Sequence, residues 1–171
     1  MKTLTATGIL SFFFCIQILF AQTDPGLQRA PYKLSVFVDK KTVYEEDLIE
    51  RPFISPANTI QLYPGEMIFV EIVEADGIIK SMKAVKVISD SSKTVIMSFS
   101  QVVEKNKHKS MMLKMYNPFK YKLLYDARIS VLNKPGWSDT DVYPVEPGLS
   151  AFEIWPDIIT SIGLGHFLLK K

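Results

Sequence analysis

From 113 to 131 the chain alternates. Leu113, Met115, Phe119, Tyr121, Leu123, Tyr125, Ala127, Ile129 and Val131 hold odd positions and are apolar or aromatic. Most even positions, among them Lys114, Lys120, Lys122, Asp126, Arg128 and Ser130, are polar. A period of two belongs to a strand with one buried face. Asn117 breaks the odd series, and Pro118 interrupts the ladder because proline has no backbone donor and a fixed φ. The pattern predicts two strands joined by a short turn at Asn117-Pro118, a hairpin whose apolar face needs a partner.

The same period recurs along the chain. Residues 32–38 place Leu34, Val36 and Val38 on one face, and 60–63 predicts a short strand. Pro64-Gly65 then turns into the β-branched run 67–73, and Ala75-Asp76-Gly77 ends it. In 78–88, Lys80, Lys83 and Lys86 recur every third residue, which fits a helix as well as a strand. The valines and isoleucines there are stiff at χ1 and favour the strand. Residues 94–103 alternate through Val95, Met97 and Phe99 with serines opposite, and 151–155 reads as a short strand closed by Pro156. In 158–169, Ile162, Leu164, His166 and Leu168 share one side, and two glycines disfavour a helix.

The intervening stretches read as connections. Residues 23–31 form a flexible lead-in. Residues 43–62, with several acids and Pro52 and Pro56, read as a helical turn followed by a loop, or as an irregular excursion. Residues 104–110 are a charged connector, 133–141 a loop, and 142–148 extended because of Pro144 and Pro147. About eight short strands separated by Pro/Gly turns predict an all-β fold, an antiparallel β-sandwich. Uneven strand lengths and the lack of a cavity-forming pattern disfavour a barrel.

The N-terminus changes the picture. Lys2 is the only charge before Asp24, and 9–20 is an almost unbroken apolar run followed by Ala21. That is the layout of a secretory signal peptide over 1–21. The run is shorter than the roughly 20 residues of a membrane span, so no transmembrane anchor is expected after cleavage. Cys15, the single cysteine, lies inside the run after Phe14, which does not suit a lipid-modified cysteine. The remaining 22–171 is the size of one domain. It holds no cysteine and no Asn-x-Ser/Thr acceptor, which favours a bacterial exported protein held by its core alone. Lys and Arg number 20 against 18 Asp and Glu, a near-neutral balance that gives no field for nucleic acid or anionic membranes.

Little in the composition points to catalysis. His108 and His166 are the two histidines. His108 is expected in solvent within the lysine-rich connector, and His166 as a hydrogen-bonded structural residue among apolar neighbours. No Gly-x-Ser-x-Gly elbow exists, the mature chain has no thiol, and two distant histidines do not make a zinc site. Neither cofactor nor metal is expected. Asp139 and Asp141 flank Thr140 near Trp137. Asp-x-Asp is a thin match to a calcium loop, and paired acids suit a glycosidase only if space brings them together. Trp137 sits in a Pro135-Gly136 loop, where it either stacks on a ligand or folds back over the body. The candidate ligand-binding residues are therefore Trp137, Asp139 and Asp141. Trp155 is expected in the core, and Lys105, Lys107, Lys109 and Lys114 as a solubilising run that protects a strand edge.

Three resemblances add to this. The Pro64-Gly65 entry into a strand resembles that of immunoglobulin-like and fibronectin-like exported domains. Phe20-Ala21-Gln22 resembles signal ends common in Gram-negative bacteria. Asn117-Pro118-Phe119, 124–127, 144–148 and Ile154-Trp155-Pro156 resemble uncharacterised exported bacterial proteins over about the last third of the chain. They imply an immunoglobulin-like sandwich in the periplasm or outside the cell, and no activity. The expected function is a non-enzymatic binding or structural module of the cell envelope with a protein or glycan partner. The alternative is a carbohydrate-binding or carbohydrate-active module using the Trp137 loop.

Overall fold

A computed structural model describes residues 27–170. The expected leader at 1–21, with Cys15, lies outside the described residues. In order the chain forms β1 (Gln28–Arg29), β2 (Tyr32–Phe37), β3 (Val43–Leu48), β4 (Arg51–Pro52), β5 (Ile60–Leu62), β6 (Glu66–Ala75), β7 (Ile78–Val85), β8 (Thr94–Glu104), β9 (Lys107–Tyr116), β10 (Lys122–Val131), β11 (Ser138–Thr140), β12 (Ser150–Trp155) and β13 (Ile159–Lys170). No helix occurs among the described residues. The fold is all-β and sandwich-like, built from antiparallel sheets. A five-stranded sheet runs β12-β9-β8-β6-β7 and a four-stranded sheet runs β11-β10-β13-β5. The pairs β1-β4 and β2-β3 stand beside them.

One core joins the two large sheets. Val70, Met97, Phe99 and Leu113 come from the first, and Leu62, Leu123, Ile162 and Leu164 from the second. Each such fully buried side chain contributes about 1.5–3 kcal/mol relative to exposure. Trp155 packs against this core edge-on to Phe99 (6.5 Å, 74°), and its indole Nε1 donates to Thr140 Oγ1 (2.9 Å). Leu34, Val36 and Leu48 form a second, smaller cluster under β2-β3.

Residues 113–131 keep their alternation but do not form a hairpin. β9 lies in the five-stranded sheet and β10 in the four-stranded one. The two strands approach one core from opposite sides, so odd positions point inward in both. Residues 117–121 carry the chain across. Asn117 is fully buried there, as its odd position dictates. Its Nδ2 donates to Tyr121 O (2.8 Å) and Val145 O (2.9 Å), and its Oδ1 accepts from Phe119 N (2.9 Å). A buried amide is tolerated because its donors and its acceptor are used.

Four other expectations are corrected. The stretch 43–62 holds β3 and β4 where a helical turn and loop were expected, and its end forms β5, the short strand expected at 60–63. The charged connector 104–110 is the tip of the β8-β9 hairpin. Lys105 and Asn106 both have positive φ (50° and 59°), as a tight primed turn requires. His108 is not free in solvent. Its Nε2 donates to Pro156 O (2.9 Å), so its Nδ1 accepts from Gln101 Nε2 (2.9 Å). Gln101 in turn exchanges hydrogen bonds with Phe37 N and O (2.9 and 2.6 Å) and thereby ties β2 to β8.

The fourth correction concerns β13. Its register with β10 slips between Leu124 and Asp126, and His166, at φ +51°, is the extra residue. Beyond this bulge the inward parity reverses. Phe167 is 7% exposed and stacks on Tyr125, whereas Leu168 is 62% exposed. Leu168 therefore does not share a face with Ile162 and Leu164. His166 is exposed rather than set among apolar neighbours.

Candidate functional site

The lead-in is structured from β1 onward, and Arg29 is its anchor. Pro64-Gly65 makes a turn closed by Glu66 N donating to Tyr63 O (3.1 Å), with Gly65 at φ +95°. The turn presents the Glu66 carboxylate inward. Arg29, 3% exposed, grips it through Nε and through a second nitrogen (2.9 Å), and also donates to Gln61 O (2.8 Å). Tyr63 N (2.9 Å) and Tyr32 Oη (3.2 Å) complete the set of donors to Glu66. The rings of Phe53 and Tyr63 sandwich the guanidinium at 4.6 and 4.7 Å. Burial, and then the neighbouring Glu66 charge, hold the Tyr32 hydroxyl protonated well above the ordinary tyrosine range.

This anchor steadies one wall of a cleft of about 520 Å³, a size common among ligand sites. The wall is β4 with Phe53, Ser55, Pro56, Ala57 and Thr59. Ser55 N donates to Thr59 O (2.9 Å), and Gln61 N donates to Phe53 O (3.1 Å), so the segment is laced to itself and to β5. The floor is the outer side of the four-stranded sheet. Gly163 and Gly165 lie two apart on β13 and leave it without side chains there. Asp126 and Arg128 project from the same side of β10.

Trp137 forms the opposite wall. Asn133 (φ +64°) and Gly136 (φ +76°) reverse the chain after β10, and the indole is laid over Gly163. A Cβ at Gly163 would touch Trp137 Cζ3 at 3.4 Å, so a side chain larger than a methyl would push the ring. The tryptophan is 40% exposed. It is packed on the body and still offers surface to the cleft.

The charges are mostly matched. Arg128 Nε pairs with Asp139 Oδ1 (2.9 Å), and His166 Nδ1 with Asp126 Oδ2 (2.7 Å). Arg51, exposed on β4, has no ion pair or side-chain hydrogen bond among the described residues. Of the three residues expected to bind ligand, Trp137 lines the cleft. Asp139 stands outside the lining and orients Arg128, and Asp141 is exposed and outside it too. The sequence reading missed Arg51, Phe53, Gln61, His166 and the two glycines. A Gly-x-Gly in a strand was the available signal, because it strips one face of side chains.

No group of three or more His, Cys, Asp or Glu among the described residues is placed to hold a metal ion. The cleft offers a flat aromatic surface, a bare floor and polar groups at its rim, which is a set suited to holding a ring. Comparison of the chain with family models, with curated proteins and with solved structures finds no match.

Proposed function

We propose that this is an exported, non-enzymatic binding module of the bacterial cell envelope, with an immunoglobulin-like body, that holds a sugar in the Trp137 cleft. The observation that carries the reading is the indole resting on Gly163 beside a floor of two glycines. A pyranose presents a flat C–H face that stacks on such a ring, and its hydroxyls need rim partners of the kind that Asp126, Gln61 and Thr59 provide. The export part rests on the signal-like 1–21. The non-enzymatic part rests on the sequence, which has no Gly-x-Ser-x-Gly elbow and no thiol after the signal-like segment.

A glycan array followed by calorimetry on the hits tests it. The protein binds at least one glycan, and Trp137→Ala weakens that binding about tenfold or more, about 1.4 kcal/mol. Array-wide absence of binding, or full affinity in Trp137→Ala, refutes it.

A second reading has its own observation. β12 ends the five-stranded sheet, and Leu149, Phe152 and Ile154 on it or next to it are exposed. A protein partner could add a strand there. Recovery of one envelope protein by the wild type and not by Phe152→Asp supports this reading, and equal recovery by both removes it.

A further inference from the structure

We infer that the sugar held in this cleft is acidic, a hexuronic acid unit whose carboxylate is read by Arg51. The inference rests on the proposed sugar site and deepens it.

The charge inventory of the cleft carries the step. Its lining holds Arg51, Arg128 and Asp126, with His166 as the remaining titratable side chain. Arg128 is satisfied by Asp139, and Asp126 by His166. Arg29, the register partner of Arg51 across β1-β4, is neutralised by Glu66. Arg51 is left without an ion pair or side-chain hydrogen bond among the described residues; it borders the cleft on one side and, on the other, a smaller hollow shared with Glu46, Asp47 and Tyr63. A guanidinium fork matches the two oxygens of a carboxylate.

The other groups narrow the ligand. Trp137 needs a ring face. Asp126 gives Oδ2 to His166 Nδ1; its other oxygen is acceptor-only when ionised, so it asks for a hydroxyl donor and disfavours a second negative charge. A ligand with one ring face, several hydroxyls and a single negative charge is a uronic acid. A doubly charged phosphate monoester would meet one free arginine and one acid, which is a poorer match. The cleft is open along the surface, so the unit can belong to a polymer.

Calorimetric titration with oligogalacturonate and oligoglucuronate, each alongside its carboxyl-reduced neutral counterpart, tests the idea. The acidic oligomer binds about tenfold or more tightly than its reduced form, and added salt narrows the gap. Arg51→Gln abolishes the preference while retaining residual binding of the reduced form, and Trp137→Ala weakens both. Arg51 is exposed on a two-residue strand, so the variant folds, which its denaturation midpoint verifies. Equal affinity for the acidic and reduced forms overturns the acidic assignment and leaves the sugar site standing. A preference that survives Arg51→Gln but falls in Arg128→Gln overturns the role of Arg51. No binding of any of these oligomers overturns the acidic assignment, and the sugar site falls as well if the glycan array is also blank.

Discussion

Asn117→Ala is expected to cost the protein about 3–4 kcal/mol, because two buried backbone groups lose their partners and are each worth about 1–3 kcal/mol when orphaned. The side chain makes three hydrogen bonds at the crossing between sheets. Val145 O keeps a second donor, Leu123 N at 2.9 Å, so its loss is small. Phe119 N and Tyr121 O carry the cost. A domain of this size has about 5–15 kcal/mol in total, so the variant loses a large share of its stability. Asn117→Asp separates chemistry from shape. It keeps the acceptor for Phe119 N but turns an oxygen toward the carbonyls of Tyr121 and Val145, so it is at least as damaging as alanine. Urea denaturation followed by circular dichroism measures both, with the slope checked for two-state behaviour. A cost under about 1 kcal/mol for Asn117→Ala, or a milder effect for Asn117→Asp than for alanine, would refute the reasoning.

Three further outcomes are expected. Arg29→Met leaves the Glu66 carboxylate buried without its cation and costs about 3–5 kcal/mol by denaturant titration; a loss near zero would mean that Arg29 does not anchor the cleft wall. Burial keeps Tyr32 and Tyr125 protonated above the ordinary tyrosine value of about 10, so their contribution is whole below about pH 10 and fades as pH rises through the raised values. The denaturation midpoint therefore falls from pH 9 to pH 12, and by less in Tyr125→Phe, which also deletes a hydroxyl without a hydrogen-bond partner among the described residues; an unchanged midpoint contradicts this. Gly163→Val lifts the Trp137 ring and shifts its fluorescence to the red, while stability changes by less than about 1 kcal/mol. An unshifted spectrum would show that the indole does not rest on that glycine.

The sequence was informative where one face of a strand is apolar and the other polar. β8 and β10 coincide with alternating stretches for that reason, and β6 covers and extends the β-branched run 67–73. Alternation could not separate a hairpin from a sheet crossing, because β9 and β10 point the same parity at one core in either case. It also misled in β13, where a single residue at positive φ reverses the parity, and no local residue type announced that. β1 and β4 were illegible for another cause. Their inward group is an arginine, and its burial depends on Glu66, far along the chain. Trp137 stands out by its loop chemistry, but the floor beneath it does not, because in a linear pattern Gly163 and Gly165 read only as helix breakers. Asp139 lies next to the cleft without lining it and pairs with Arg128, a contact that no local pattern announces.

Gln61 on β5 meets Ser161 on β13, 100 positions further along the chain. The sheet beneath the cleft thus joins an edge strand, β5, to an inner strand, β13, that follows it far later in the chain. During synthesis the hairpins β2-β3, β6-β7 and β8-β9 can close as soon as they emerge, whereas β5 waits for β13 before it has a partner strand in its sheet. The candidate cleft therefore closes only after those hairpins, and a chain interrupted before β13 would carry most of the body without the two glycines of the floor.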